Sequence, residues 1–261
     1  MNLFTTKKKI ASIGKIRKIT ETMKIIAISK ISKAKSSVAT VSDFQKELYD
    51  TISIIHDNDQ NKKNDKTLWI IFTTTMGMAG SFNLNTYRLA NTNIKAQDQV
   101  IVFGEKGFRY FTKKSRLLKY FKLGDKNIEF FNVKYAGDYV AKLYLDNKFG
   151  NVKMIYTKYS NSQPAPVIAN ILPIDETVFV KQPEANTFIF EPNKKEIMHN
   201  LTSLYVESMI YAGLVESKLS EQTSRKNAMI QANDNIDDML GNLRIQYNKK
   251  RQEKITQEVR R

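Results

Sequence analysis

The two ends of the chain lack helix breakers over lengths that no ordinary globular helix reaches. Residues 3–57 contain no proline and a single glycine, Gly14. From Asn193 to Arg261 there is no proline, and Gly213 and Gly241 are the only glycines. In the first stretch apolar side chains recur at Ile16, Ile19, Met23 and Ile26, then at Val38, Val41, Phe44, Leu48, Ile52 and Ile55. In the second they recur at Leu204, Tyr211, Val215, Leu219, Met229, Ile236, Leu240, Leu243 and Tyr247. Steps of three and four are the coiled-coil period and not a strand alternation. At 1.5 Å per residue these helices would run roughly 75 and 100 Å. Helices of that length hold only by lying against something.

Lys30, Lys33 and Ala34 interrupt the first seam, and the second loses its apolar content between Ser220 and Asn227. Asn193 is placed to cap the last helix, with Glu196 in its first turn.

Between the ends the pattern changes. A polar link over residues 56–65 leads into Leu68-Trp69-Ile70-Ile71-Phe72, a buried strand running into the turn Gly77-Met78-Ala79-Gly80. Helical segments are expected at 83–95, 105–114 and 134–148. Further strands are expected at Val100-Ile101-Val102-Phe103, 152–156 and 167–173. Strands alternating with helices predict a mainly parallel sheet wrapped by helices. The expected fold is therefore α/β plus a long α-helical coiled coil. The N-terminal helix (1–60) and the C-terminal helix (194–261) pair antiparallel, and a Rossmann-like α/β domain (66–190) is inserted between them.

That pairing brings together the two basic parts of a chain whose net charge is +16. Residues 1–40 hold ten basic residues and one acidic, and residues 244–261 hold seven and two. The far end of the rod is strongly positive, and two helices expose more seam than they cover mutually, which implies a sleeve of other subunits. The basic runs Lys7-Lys8-Lys9 and Lys249-Lys250-Arg251 allow three readings: a solvated helix face, a nucleic-acid contact, or a face for acidic loops of a protein sleeve. Tyr247 is the one aromatic near the second run, so no stacking platform for bases is evident.

Catalytic chemistry is poorly supplied. The chain has no cysteine and two histidines, His56 and His199, which removes disulfides, thiolate nucleophiles and multi-histidine metal centres. The glycine turn has the topology of a phosphate loop but continues Ser81-Phe82-Asn83, without the lysine and hydroxyl that phosphate and metal require. Asp57 and Asp59 read as loop residues, His199 as a surface or partly buried histidine, and Asp234, Asp237 and Asp238 as a solvated or partner-facing stripe. No catalytic, cofactor or metal site is expected. No apolar run is long enough to span a membrane and no secretory segment opens the sequence.

The segment Ile10 to Lys30, with Gly14-Lys15-Ile16-Arg17-Lys18-Ile19-Thr20-Glu21-Thr22-Met23-Lys24, resembles the opening helix of the gamma subunit of F-type ATP synthases. The tail is similar to that family's last helix, from Glu216 through Gln222-Thr223-Ser224-Arg225 and Ala232-Asn233-Asp234 to Tyr247-Asn248-Lys249-Lys250-Arg251-Gln252. Gly77-Met78-Ala79-Gly80-Ser81 resembles the family's Gly-Leu-Cys-Gly turn, with Thr74-Thr75-Met76 in place of its Ser-Asp-Arg. The resemblance implies a non-catalytic rotor shaft inside a ring of three alpha and three beta subunits. It further implies an epsilon subunit on the α/β domain and a c-ring, or a substitute membrane-side partner, beneath it. The place implied is the cytoplasmic face of the cell membrane, peripheral and within a complex.

By the same resemblance Arg251 and Gln252 match the pair that engages a beta-subunit catch loop, with Thr256 and Glu258 nearby. Met23 and Lys24 match the segment facing the moving acidic part of the beta subunit, and Arg225 matches a polar position in the coupling region. The family's last helix continues for roughly ten more residues, so the expected shaft tip is about 15 Å shorter. That difference and the short middle domain keep a second reading open: a gamma-like shaft of an F1-like ATPase paralogue, coupled to a load such as a motility apparatus. A basic coiled-coil nucleic-acid-binding protein is the alternative of another class, and an enzyme in the α/β domain comes third.

Overall fold

The computed structural model describes residues 3–55, 64–114, 116–123, 130–160, 163–174, 191 and 193–259. Both terminal helices are present: α1 spans Leu3–Ile55 and the last helix, α5, spans Lys194–Val259, 53 and 66 residues respectively. Asn193 caps α5 as expected, its Oδ1 accepting the Glu196 N–H at 2.9 Å. Asp57, Asp59 and His56 lie outside the described residues.

The chain between them folds as β1 (Thr67–Phe72), α2 (Phe82–Asn93), β2 (Gln99–Phe103), α3 (Glu105–Thr112), β3 (Leu117–Phe121), α4 (Phe130–Leu145), β4 (Asn151–Lys158) and β5 (Ala165–Leu172). The sheet order is β3-β2-β1-β4-β5, with β1 to β4 parallel and β5 antiparallel on the edge. Pro166 falls in that edge strand, where a missing N–H costs no ladder bond. β3 was not among the expected strands. Leu117-Leu118-Lys119-Tyr120-Phe121 is mostly half-buried, and Lys119 breaks its apolar run.

Both faces of the sheet are covered, which is why the central strands read as continuous apolar runs. Trp69 and Ile71 point with Val100, Val102 and Ile155 to the α2–α3 side. Leu68, Ile70 and Phe72 point the other way, into a larger core with Ile101, Phe103 and Met154. The lid of that core comes from α4 (Val133, Ala136, Val140), the end of α1 (Leu48, Ile52) and the early part of α5 (Tyr205, Val206, Ile210, Leu214). One half of α5 is thus a layer of the domain and the other half is shaft. At the crossing, a Cβ on Gly213 would collide with Met154 Sδ and stand 2.9 Å from Phe72 Cε2, so any larger residue would make Met154 and Phe72 shift.

Along the shaft, cross-helix pairs fix an antiparallel, constant register: Arg17 with Asp237, Gln45 with Met209, and Tyr49 with Tyr205. From 17 to 49 on α1 the partner falls from 237 to 205, with no slip. The α5 seam follows expectation, with Val215, Leu219, Met229 and Leu240 buried. Leu204 is the exception, exposed at the edge of the α4 crossing.

On α1 the seam departs from expectation. Val41, Leu48 and Ile52 are buried, but Ile16, Ile19, Ile26 and Phe44 are about half exposed. The residues facing α5 recur every seven positions as Thr6, Ile13, Thr20, Ala27, Ala34, Val41 and Leu48. Thr20 and Ala27 are buried despite their size. Small side chains let the backbones approach, and the bulky isoleucines are turned outward as a second stripe. The middle break therefore belongs to the seam through Ala34, while Lys30 and Lys33 point to solvent.

Candidate partner-binding surface on the shaft

Most of the polar octet of α5, read from sequence as a gap in the seam, is buried, Asn227 at its end being exposed. Ser220, Glu221, Gln222, Thr223 and Arg225 are all under 8 % exposed. Its buried charges are paired within the chain: Arg225 Nη2 donates to Glu221 Oε1 at 2.9 Å and to the Gly77 carbonyl at 3.2 Å. Lys218 Nζ lies 3.3 Å from Glu221 Oε2. The glycine turn, with positive φ at Met78 and Gly80, presents that carbonyl to α5. Its neighbour Asn83 is tied to Thr74, accepting its N–H and donating to its hydroxyl. The turn thus docks the domain onto the shaft. Arg225 points inward, to this joint, and not to the outer surface.

Farther out, Met23 and Lys24 lie half-buried beside a second polar lock. The Thr20 hydroxyl donates to Asn233 Oδ1, and Asn233 Nδ2 donates to Glu21 Oε2 at 2.8 Å. Lys24 Nζ pairs with Glu21 Oε1 at 2.7 Å. Next to it Arg17 grips Asp237 through two bonds of 2.5 and 2.9 Å. Of the expected solvated or partner-facing stripe, Asp234, Asp237 and Asp238, all three are exposed, and Asp237 is in addition an interhelical partner.

Bonding to Arg17 holds the Asp237 carboxyl below its ordinary value of 3.8. A carboxylate with a depressed pKa stabilises the fold above its unfolded value and loses that contribution as pH falls through its folded one. Asp237→Asn is expected to lower the melting temperature slightly at pH 7, because both side chains are half exposed. The gap between the melting curves of variant and parent should narrow as the pH falls below the ordinary carboxylate range.

Toward the far end the register sets Arg251 level with Leu3, beyond which α5 runs on past α1. Arg251, Gln252, Thr256 and Glu258 are all exposed. Thr256 bonds back to the Gln252 carbonyl at 2.9 Å, and Glu258 faces Lys254 at 3.6 Å. Arg251 keeps its guanidinium fork toward solvent. Around them Ile245, Ile255 and Val259 are exposed, as are Ile230 and Met239 lower down. Sequence periodicity missed this outer apolar stripe, because it assigned the bulky α1 residues to the inner seam. The structure separates the candidates into an exposed tip group, a half-buried pair at the lock, and Arg225 at the joint. Among the described residues no group of His, Asp or Glu could hold a metal ion, and no helix is long and apolar enough to cross a membrane.

A family profile described as ATP synthase matches residues 2–260. The ATP synthase gamma chain of Mycoplasmopsis pulmonis is 33 % identical over 268 residues, covering 99 % of this chain and 96 % of its own length. The chain belongs to the ATP synthase gamma family. The gamma chain of Mycoplasma mycoides is 32 % identical, with 99 % of this chain and 95 % of that one covered. The rotor of the Euglena gracilis mitochondrial ATP synthase has the same fold, with a TM-score of 0.72 at 19 % identity over 97 % of this chain and 98 % of that one. Gamma chains are the non-catalytic central shaft of F1, and the catalytic sites lie in beta subunits. The resemblance drawn from the terminal helices is borne out, and neither the paralogue nor the nucleic-acid alternative is favoured.

Proposed function

We propose that the coiled coil turns inside a ring of three alpha and three beta subunits and couples its rotation to their nucleotide states. In this reading residues 1–60 and 194–261 form the shaft and 66–190 the domain that carries load at its base. Arg251 and Gln252 engage a beta-subunit loop, with Thr256 and Glu258 beside them. Met23 and Lys24 meet a moving acidic segment, and Arg225 transmits through the joint. An epsilon subunit and a c-ring, or a substitute membrane-side partner, bind the domain, and the complex is peripheral on the cytoplasmic face of the membrane. One Euglena structure is of the rotor, and another, in a different rotational state, is of OSCP, F1 and the c-ring.

The observation that carries this is the asymmetry of the shaft. One end of α5 is fixed in the domain core and the other is bare, basic and apolar in patches. A shaft biases chemically identical subunits differently when each orientation offers different contact energy. The outward isoleucines of α1 and the basic tip provide faces that differ around the rod. Purification of the native complex followed by mass spectrometry tests the assignment: alpha, beta and epsilon chains are expected to copurify. Recovery of the chain alone or on nucleic acid would refute it.

A further inference from the structure

At the domain end of the molecule, α4 and the early turns of α5 line an open groove of about 740 Å³. The helices meet closely because residue 137 is glycine: a Cβ there would stand 2.8 Å from Glu207 Cβ and 2.9 Å from its Cα. This approach leaves Glu207 only 8 % exposed, with its side chain lining the groove. Among the described residues its carboxylate receives no hydrogen bond and no ion pair. Burial, and then the charge of Asp138, push its pKa up, opposed by Lys134. Asp138 also lines the groove and is oriented by the Ser203 hydroxyl, which donates to its Oδ1 at 3.1 Å. Leu145 and Leu204, each more than a third exposed, add an apolar wall.

The Glu207 carboxylate opens into the groove with no hydrogen-bond donor on it among the described residues, and a cation bearing N–H donors would pair with it there. The groove's acidic side chains do not form a group able to hold a metal ion. Lys134 and Lys142 also line the groove, against Asp138, Asp146 and Glu207; an ammonium on an alkyl chain would set its charge on the carboxylates and its methylenes on the leucines.

We propose that the α4–α5 groove binds an alkylammonium group, its nitrogen on Glu207 and Asp138 and its methylenes along Leu145 and Leu204. The site lies in the domain and stands whether or not the shaft reading holds. Calorimetric titration of the full-length chain with 1,5-diaminopentane, and with a neutral peptide carrying one central lysine, tests it. Saturable binding is expected, weakened at least tenfold by Glu207→Gln and severalfold by Asp138→Asn. The exposed control Glu196→Gln should leave it unchanged. Glu207-dependent binding of the diamine alone assigns a free amine, and the same dependence with the peptide assigns a lysine side chain of a polypeptide. No saturable heat with either probe, or unchanged affinity in folded Glu207→Gln, overturns the site. Should Glu207→Gln not fold, unchanged affinity in Asp138→Asn, which leaves α5 untouched, overturns it equally.

Discussion

Replacing Glu221 by alanine is expected to lower the melting temperature of the chain by roughly 6–20 °C, the largest loss for any single charge on the shaft. Glu221 and Arg225 have side chains 6 % and 9 % exposed, and the carboxylate answers both Arg225 and Lys218. Without it, the Arg225 guanidinium stays buried with the Gly77 carbonyl as its remaining acceptor. Removing one partner of a buried pair costs about 3–5 kcal/mol, because the other charge is left uncompensated. For a chain of this size each kcal/mol shifts the melting point by about 2–4 °C. The exposed pair Lys254–Glu258 is the contrast: Glu258→Ala should cost under about 0.5 kcal/mol. Thermal melts of the two variants side by side check the ranking. Equal, small shifts would mean that the joint between turn and shaft does not depend on this pair.

The second large effect is functional and leaves stability alone. Arg251→Ala, alone or with Gln252→Ala, should move the melting point of the isolated chain by no more than about 1 °C, since exposed substitutions rarely matter to folding. In the assembled ATPase the same change removes a bidentate donor from the proposed beta-subunit contact. A charge-assisted hydrogen bond is worth about 1.5–3 kcal/mol, and each 1.4 kcal/mol is tenfold in rate. Turnover under load should therefore fall about tenfold or more. Unchanged turnover and torque would remove Arg251 from the coupling contact.

The terminal helices were legible because absence of proline and a three-four apolar step over fifty residues leave few alternatives. The central strands were legible for a different reason: burial on both faces writes itself as unbroken apolar runs such as Leu68 to Phe72. What sequence misplaced was the inner face of α1. Periodicity weighs side-chain size, and the large residues Ile16, Ile19 and Ile26 outvoted Thr20, Ala27 and Ala34, although close packing of two helices favours the small ones. The polar octet at Ser220–Asn227 showed in sequence only as a loss of apolar content in the seam. Its composition reads as solvated, yet the glycine turn arriving from 140 residues upstream covers it, and no local pattern announces a contact of that range. β3 escaped because Lys119, caged by Tyr135 and Tyr139 at 4.4 and 4.3 Å from their ring centres, breaks an otherwise apolar run. At the tip, the basic run and the bidentate fork of Arg251 beside Gln252 pointed to an acidic protein loop, and the family resemblance pointed to a beta-subunit catch; both side chains are exposed.

Because the chain has no cysteine, a single one introduced at the exposed Lys95 on the domain gives a unique attachment point for a rotation probe. With the surrounding ring fixed to a surface through its other subunits, ATP should drive that probe continuously in one direction. Sustained ATP hydrolysis by the same complexes with the probe stationary would contradict the shaft.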